Sequence, residues 1–297
     1  MKINNIFIFI FCGSFISFQN CSKESGVIKD NLQHPDSSFL PVIFLCGQSN
    51  MEGVSLTSSI PLEFTEAMSN AYIFHKPTNS STDDGDVEVL KYGINNNWRD
   101  PNLYFGPEEG IAHYLTQWGH RIAIVKYAYG GSKLVFTGAI SPYGYWQTDA
   151  AASPDHYSIL INNWANQSLE KFKKAGFKPY IAAFVWCQGE TDAHDLDAAT
   201  KYQAKLVQLL DKFKVDLNVV DPQVDNMRII ITRTRSGYPY SDMIRQAQVN
   251  IADTYHNAYW INSDDWPLLP DGFHFTATAQ ATMQGKEIAD ILSKVIP

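Results

Sequence analysis

The sequence has no stretch dense in lysine or arginine. Its 23 basic residues are outnumbered by 31 acidic ones, for a net charge of -8 and a pI near 5.4. Nothing in it could neutralise a run of phosphates, so nucleic acid is not an expected partner. Metal patterns are missing too. The eight histidines form no H-E-x-x-H and no paired Cys/His spacing, and His113, His120, His156 and His256 read as surface or helix-packing residues. No phosphate loop or dinucleotide fingerprint occurs, since Gly130-Gly131 is too short for one, and no cofactor is implied. Cysteine is scarce. Of the four, Cys12 and Cys21 fall in the N-terminal segment, while Cys46 and Cys187 lie in apolar runs and read as small core thiols rather than a disulfide framework. There is no internal repeat and no long low-complexity tract.

The apolar run nearest the N-terminus, Ile6 to Phe18, is too short and too interrupted by Gly13, Ser14 and Ser17 for a membrane span. It follows the positive start Met1-Lys2 and precedes Cys21-Ser22, an order that resembles a bacterial lipoprotein signal. Cys21 would then be the lipidated first residue of the mature protein. Phe18-Gln19-Asn20 lacks the small residues usual before such a cysteine, and an ordinary secretory signal cut nearby is the alternative. Either way the expectation is export, to the periplasm or cell surface. The expected organisation is a signal peptide over 1–20, a polar flexible tether over 21–38, and one domain over 39–297.

What the domain does have is alternation. Val42 to Cys46, bounded by Pro41 and Gly47, reads as a strand buried on both faces. Arg121 to Tyr127, Tyr180 to Trp186, Met227 to Thr232 and Ala258 to Asn262 read as four more. Helix patterns fall between them. One opens at Pro107 with Ile111, Leu115 and Trp118 on its inner face, and one runs from Asp155 to Ala175. Others run from Asp197 to Phe213, Asp242 to Thr254 and Thr278 to Val295. Two inserts interrupt the pattern. Val54 to about Asn102 reads as a decorated loop carrying Tyr72, Phe74, Tyr92 and Trp98. Lys133 to Ser153 carries Phe136, Tyr143, Tyr145 and Trp146, which suit sugar faces or pack onto the core. The whole predicts an α/β fold with a doubly wound, mostly parallel five-stranded sheet and helices on both faces.

Such a sheet sends every strand's carboxyl end to one edge. Ser49, Gly130, Gln188 and the Asp271/His274 pair all follow strand ends, so four remote segments converge there. Together they make a set for acyl transfer. A serine needs a base to take its proton, which His274 can be, and Asp271 lies close enough to hold the other imidazole nitrogen. The N–H groups of Ser49 and Gly130 and the amide of Gln188 are candidate oxyanion donors; tying two loops together is the alternative for Gln188. Glu190 could orient His274 in place of Asp271, or bind Arg233 or Arg235, and a structural role is the one expected. Gln48 is a supporting candidate.

Gly47-Gln48-Ser49-Asn50-Met51, Gly130-Gly131-Ser132, Trp186-Cys187-Gln188-Gly189-Glu190-Thr191-Asp192 and Asp271-Gly272-Phe273-His274 together resemble the SGNH hydrolase superfamily. More narrowly they resemble its sialate O-acetylesterase and acetylxylan esterase group, over about Leu40 to Pro297. The resemblance implies Ser49 as nucleophile, Asp271 and His274 completing a triad, and Ser49, Gly130 and Gln188 as the oxyanion hole. Gln188 stands where other superfamily members carry asparagine, and Cys187 where a histidine often precedes the QGE. The implied activity is removal of O-acetyl groups from a carbohydrate. Transfer of the acyl group to a sugar hydroxyl, or carbohydrate binding without chemistry, are the alternatives. The expected partner is an acetylated carbohydrate, with membrane contact only through a lipid on Cys21, and the chain is expected to be a monomer.

Overall fold

Residues 39–47 form the centre of the sheet because almost every side chain in them is apolar and neither face can be left to water. The computed structural model describes residues 38–66, 68–76, 84–91, 94, 103–151 and 153–296. The strands among them are β1 (Phe39–Gly47), β2 (Ser55–Leu56), β3 (Ala71–His75), β4 (Asp86–Val89), β5 (Tyr104–Phe105), β6 (Ile122–Ala128), β7 (Lys178–Cys187), β8 (Arg228–Thr232) and β9 (Ala258–Ile261). The helices are α1 (Ser49–Glu52), α2 (Glu108–Gln117), α3 (His156–Ile159), α4 (Asn166–Lys174), α5 (Leu196–Leu217), α6 (Ser241–Thr254) and α7 (Gly285–Leu292).

Seven strands form one sheet in the order β4-β3-β6-β1-β7-β8-β9. Every neighbouring pair is parallel except β3 with β4. The five expected strands are its β6-β1-β7-β8-β9 portion. The other two lie in the insert expected to be loop, so Tyr72 and Phe74 are strand residues. Both strands are short runs and pair antiparallel, so they lack the parallel crossover that marks a βαβ unit. Tyr92, Trp98, the expected signal peptide and all of the tether but Ser38 lie outside the described residues.

Side chains alternate across β1. Val42, Phe44 and Cys46 enter a core with Leu169 and Phe172 of α4, Tyr202, Leu206, Leu209 and Phe213 of α5, and Ile251 of α6. Ile43 and Leu45 enter another with Ile111 and Leu115 of α2 and Ile288 and Leu292 of α7. Full burial of each large apolar side chain contributes about 1.5–3 kcal/mol, so the two cores pin the strand's register from both sides. Trp118 departs from its expected place. It follows the last residue of α2, its backbone leaves the helical region, and its side chain is 42% exposed. The C-terminal helix is likewise not uniform: a π-helical segment, Ala279–Gln284, precedes α7. Opposite it α2 must carry glycine, because a Cβ on Gly110 would stand 2.0 Å from the carbonyl oxygen of Ala281.

Cys46 and Cys187 lie on adjacent strands, buried and free, and burial pushes both thiols well above their ordinary range. Among the described residues no helix is long and apolar enough to cross a membrane.

Candidate active site

At the carboxyl end of β1 the chain must turn within one residue. Gly47 does so at φ 144°, and a Cβ there would stand 2.1 Å from the carbonyl oxygen of Cys187 on β7. Only glycine fits that approach. The next residues wind at once into the single turn α1, closed by bonds from Met51 N (2.8 Å) and Glu52 N (2.9 Å) to the Gln48 carbonyl. Ser49 therefore sits at the first position of that turn, on the edge where all the parallel strands end.

His274 reaches it from the loop after β9. Its Nε2 lies 3.0 Å from Ser49 Oγ, and its Nδ1 lies 2.7 Å from Asp271 Oδ2. An ionised carboxylate only accepts, so Nδ1 carries the hydrogen and Nε2 is left to accept the serine O–H. Asp271 is itself fixed, because its Oδ1 accepts the N–H groups of Phe273 (2.9 Å) and His274 (3.0 Å). Burial alone would raise its carboxyl, but the hydrogen bonds from His274 and these two amides outweigh that and hold it below the ordinary carboxylate value. The Leu269 N–H closes the loop on the His274 carbonyl at 2.7 Å.

Glu190 neither touches His274 through a hydrogen bond nor pairs with the arginines weighed for it. Arg233 pairs with Asp264 at 2.6 Å, and Arg235 donates to the Trp266 carbonyl at 2.7 Å. The partner of Glu190 is Asn50, whose Nδ2 donates to Oε1 at 2.9 Å. Burial pushes the Glu190 carboxyl up, against that bond and the nearby His274. Asn50 also donates to the Phe273 carbonyl (3.2 Å) and accepts the Phe275 N–H (3.0 Å), gripping the chain on both sides of His274. Asn50 was legible only as a motif letter, since its partners lie more than a hundred residues away. Gln48 links the same turn to the loop after β7, its Oε1 accepting Gly189 N (3.3 Å) and Thr191 N (3.4 Å).

The three expected oxyanion donors differ. Ser49 N–H has no acceptor among the described residues. The Gly130 N–H is donated to Oε2 of the buried Glu52, at 2.9 Å. The Gln188 amide donates to the Ser132 carbonyl (3.2 Å) and to Asp192 Oδ2, so both its hydrogens are engaged in tying loops together. Asp192 is fully buried and also accepts Leu134 N and Val135 N, each at 2.9 Å, which pins the start of the second insert. Burial pushes Asp192 up to about 6, against the hydrogen bonds from those two amides and Gln188. The sequence assigns no role to Glu52, and Asp192 stands in it only as a motif letter, because nothing in their spacing marks a partner 78 or 58 residues off.

The aromatic residues of that insert divide between the expected readings. Trp146 and Tyr145 are buried, Phe136 is half-buried, and Tyr143 is exposed. His156 is buried too; its Nδ1 meets the Tyr127 hydroxyl at 2.8 Å and its Nε2 the Tyr143 carbonyl at 2.7 Å. Among the described residues no cluster of three His, Cys, Asp or Glu side chains is set to hold a metal ion.

Comparison with known proteins agrees with this architecture. A probable carbohydrate esterase of Arabidopsis thaliana is 30% identical over 114 residues, which is 38% of this chain and 40% of that protein's length. A solved structure of an Arabidopsis thaliana protein superposes with a TM-score of 0.65 at 21% identity, covering 86% of this chain and 99% of that one. NanS superposes with a TM-score of 0.61 at 15% identity, over 86% and 97% of the two chains. At these identities the structural likeness is one of fold. The family model for carbohydrate esterase, sialic acid-specific acetylesterase, matches residues 40–294, and this chain belongs to that family.

Proposed function

We propose that the protein is a serine esterase of SGNH type that removes O-acetyl groups from a carbohydrate, of the sialic acid or acetylated xylan kind. The observation that carries this reading is the hydrogen-bonded row Ser49, His274, Asp271 at 3.0 and 2.7 Å. Ser49 Oγ attacks the acetyl carbonyl while His274 Nε2 takes its proton, and Asp271 steadies the imidazolium that results. The tetrahedral intermediate collapses as His274 returns the proton to the departing sugar oxygen, leaving acetyl-Ser49. Water, deprotonated by the same imidazole, then attacks the acetyl-enzyme, and as that intermediate collapses His274 returns the proton to Ser49 Oγ and acetate leaves.

The Ser49 N–H is the donor available at once to the oxyanion. In this reading Gly130 and Gln188 serve it by sharing or exchanging the partners they now hold, and otherwise fix the walls around it. The lipid on Cys21 and export remain part of the proposal, checked by acylation of the mature N-terminus. Ser49→Ala tests the chemistry. It should lose at least about 10⁴-fold in kcat for acetate release with an unchanged melting temperature, because among the described residues Ser49 Oγ bonds only to His274. A variant that keeps most of its activity would refute the reading. Acetate release measured across acetylated sialic acids and xylans identifies the sugar.

A further inference from the structure

Two large aromatic side chains stand in solvent beside this site without contributing to the core. Phe273, immediately before His274, is 52% exposed, and Tyr143 is 50% exposed. Neither is loosely held. The Phe273 N–H donates to Asp271 Oδ1 and its carbonyl accepts from Asn50, so its backbone belongs to the same network as the triad. Its ring lies 17° from parallel to that of Tyr238, with centroids 6.1 Å apart, and Tyr238 meets the His194 ring at 5.3 Å. Burial, together with the carboxylates of Glu190 and Asp271, pushes the Tyr238 hydroxyl up, against Arg235, which keeps it protonated. On the other flank the Tyr143 carbonyl accepts from buried His156. Its ring lies over Gly131, next to Gly130, where a Cβ would come within 3.0 Å of Tyr143 Cγ.

The sheet order places the segments that hold these rings on opposite sides of the strand that leads to Ser49. Gly131 follows β6, Tyr238 follows β8, and β1 with the nucleophile runs between them. From β6 to β8 is three inter-strand spacings, roughly 14 Å. Rigid, half-exposed rings on both flanks of a reacting serine offer flat apolar faces at little entropic cost. A pyranose has a matching face of polarised C–H bonds, whereas its hydroxyls stay in water.

Resting on the esterase reading above, we infer that Phe273 with Tyr238 on one side, and Tyr143 on the other, form a sugar subsite. It takes an acetylated pyranose ring by its C–H faces and presents the ester to Ser49. The test compares an acetylated pyranoside with an acyclic acetate ester that has no ring to stack. For Phe273→Ala and for Tyr143→Ala, the ratio of kcat/KM on the pyranoside to kcat/KM on the acyclic ester should fall about tenfold, chiefly through KM on the sugar, and Phe273→Trp should restore it. A ratio that stays at the wild-type value overturns the subsite, whether both substrates weaken together or neither changes. Wild-type protein that releases acetate from neither substrate would instead refute the esterase reading itself.

Discussion

The loop from Leu269 to Phe275 and the block from Gln188 to Asp192 meet the same nucleophile turn, but they are built in opposite ways. The loop is short and partly in solvent, and it is closed mostly on itself: Asp271 binds the amides of Phe273 and His274, and Leu269 binds the His274 carbonyl. The block is largely buried and closed mostly on other segments. The Gln188 amide holds Ser132 and Asp192, while its carbonyl accepts from Tyr202 (2.7 Å) and Gln248 (2.9 Å). A loop of the first kind can be altered chemically without unfolding the protein. One of the second kind cannot, because each broken bond leaves a buried polar group without its partner, at about 1–3 kcal/mol.

The sharpest break between the two should come from Asp271→Asn. The amide favours the wrong imidazole tautomer, so kcat should fall by roughly 10⁴ while thermal unfolding barely moves. Gln188→Ala comes next, with a loss of about 10² to 10³ in kcat and, unlike Asp271→Asn, a clear drop in melting temperature as Ser132 and Asp192 lose their donor. An unchanged melting temperature would mean that its amide serves the oxyanion and not the walls. Glu190→Gln keeps an oxygen for Asn50 and should cost less than about tenfold in kcat. Parallel kinetics and unfolding curves on the three variants would expose the reverse pattern, an active Asp271→Asn beside a silent Glu190→Gln, which would move the triad's acid to Glu190.

A further effect is one of pH, and it lies in the buried surroundings. Burial lowers His156 to about 4 from 6.5. The stability that its neutral form contributes is therefore present above pH 6.5 and lost as pH falls through 4, roughly 3 kcal/mol over that window. Asp192, raised from 3.8 to about 6, works the other way: its contribution is present below pH 3.8 and lost as pH rises through 6. The two should flatten the wild-type profile. His156→Gln removes one side, so its stability relative to wild type should rise on acidification from pH 6.5 to 4. Parallel profiles of melting temperature against pH would refute the assignment.

The same contrast explains what could be read from the sequence. The Asp271–His274 spacing is local, so a turn suffices to suggest it, and the five strands of β6-β1-β7-β8-β9 announce themselves as apolar runs followed by helix patterns. Strands β3 and β4 carry no such alternation and hide in a polar insert. Asn50, Glu52 and Asp192 have side chains that act across dozens to hundreds of residues, and sequence carries no local trace of a partner at that distance. The engaged donors of Gly130 and Gln188 are likewise a property of packing: the residue types suit an oxyanion hole, but which acceptor holds them depends on where Glu52 and Asp192 land.

The account's central claim is that Ser49 is activated by His274 under the local control of Asp271. Labelling with a fluorophosphonate, followed by peptide mapping, tests it most directly. The prediction is a single adduct on Ser49 that removes esterase activity in step with labelling, forms far more slowly in His274→Ala and Asp271→Asn, and forms at close to the wild-type rate in Glu190→Gln. An adduct elsewhere, or wild-type labelling of Asp271→Asn beside an unreactive Glu190→Gln, would contradict it.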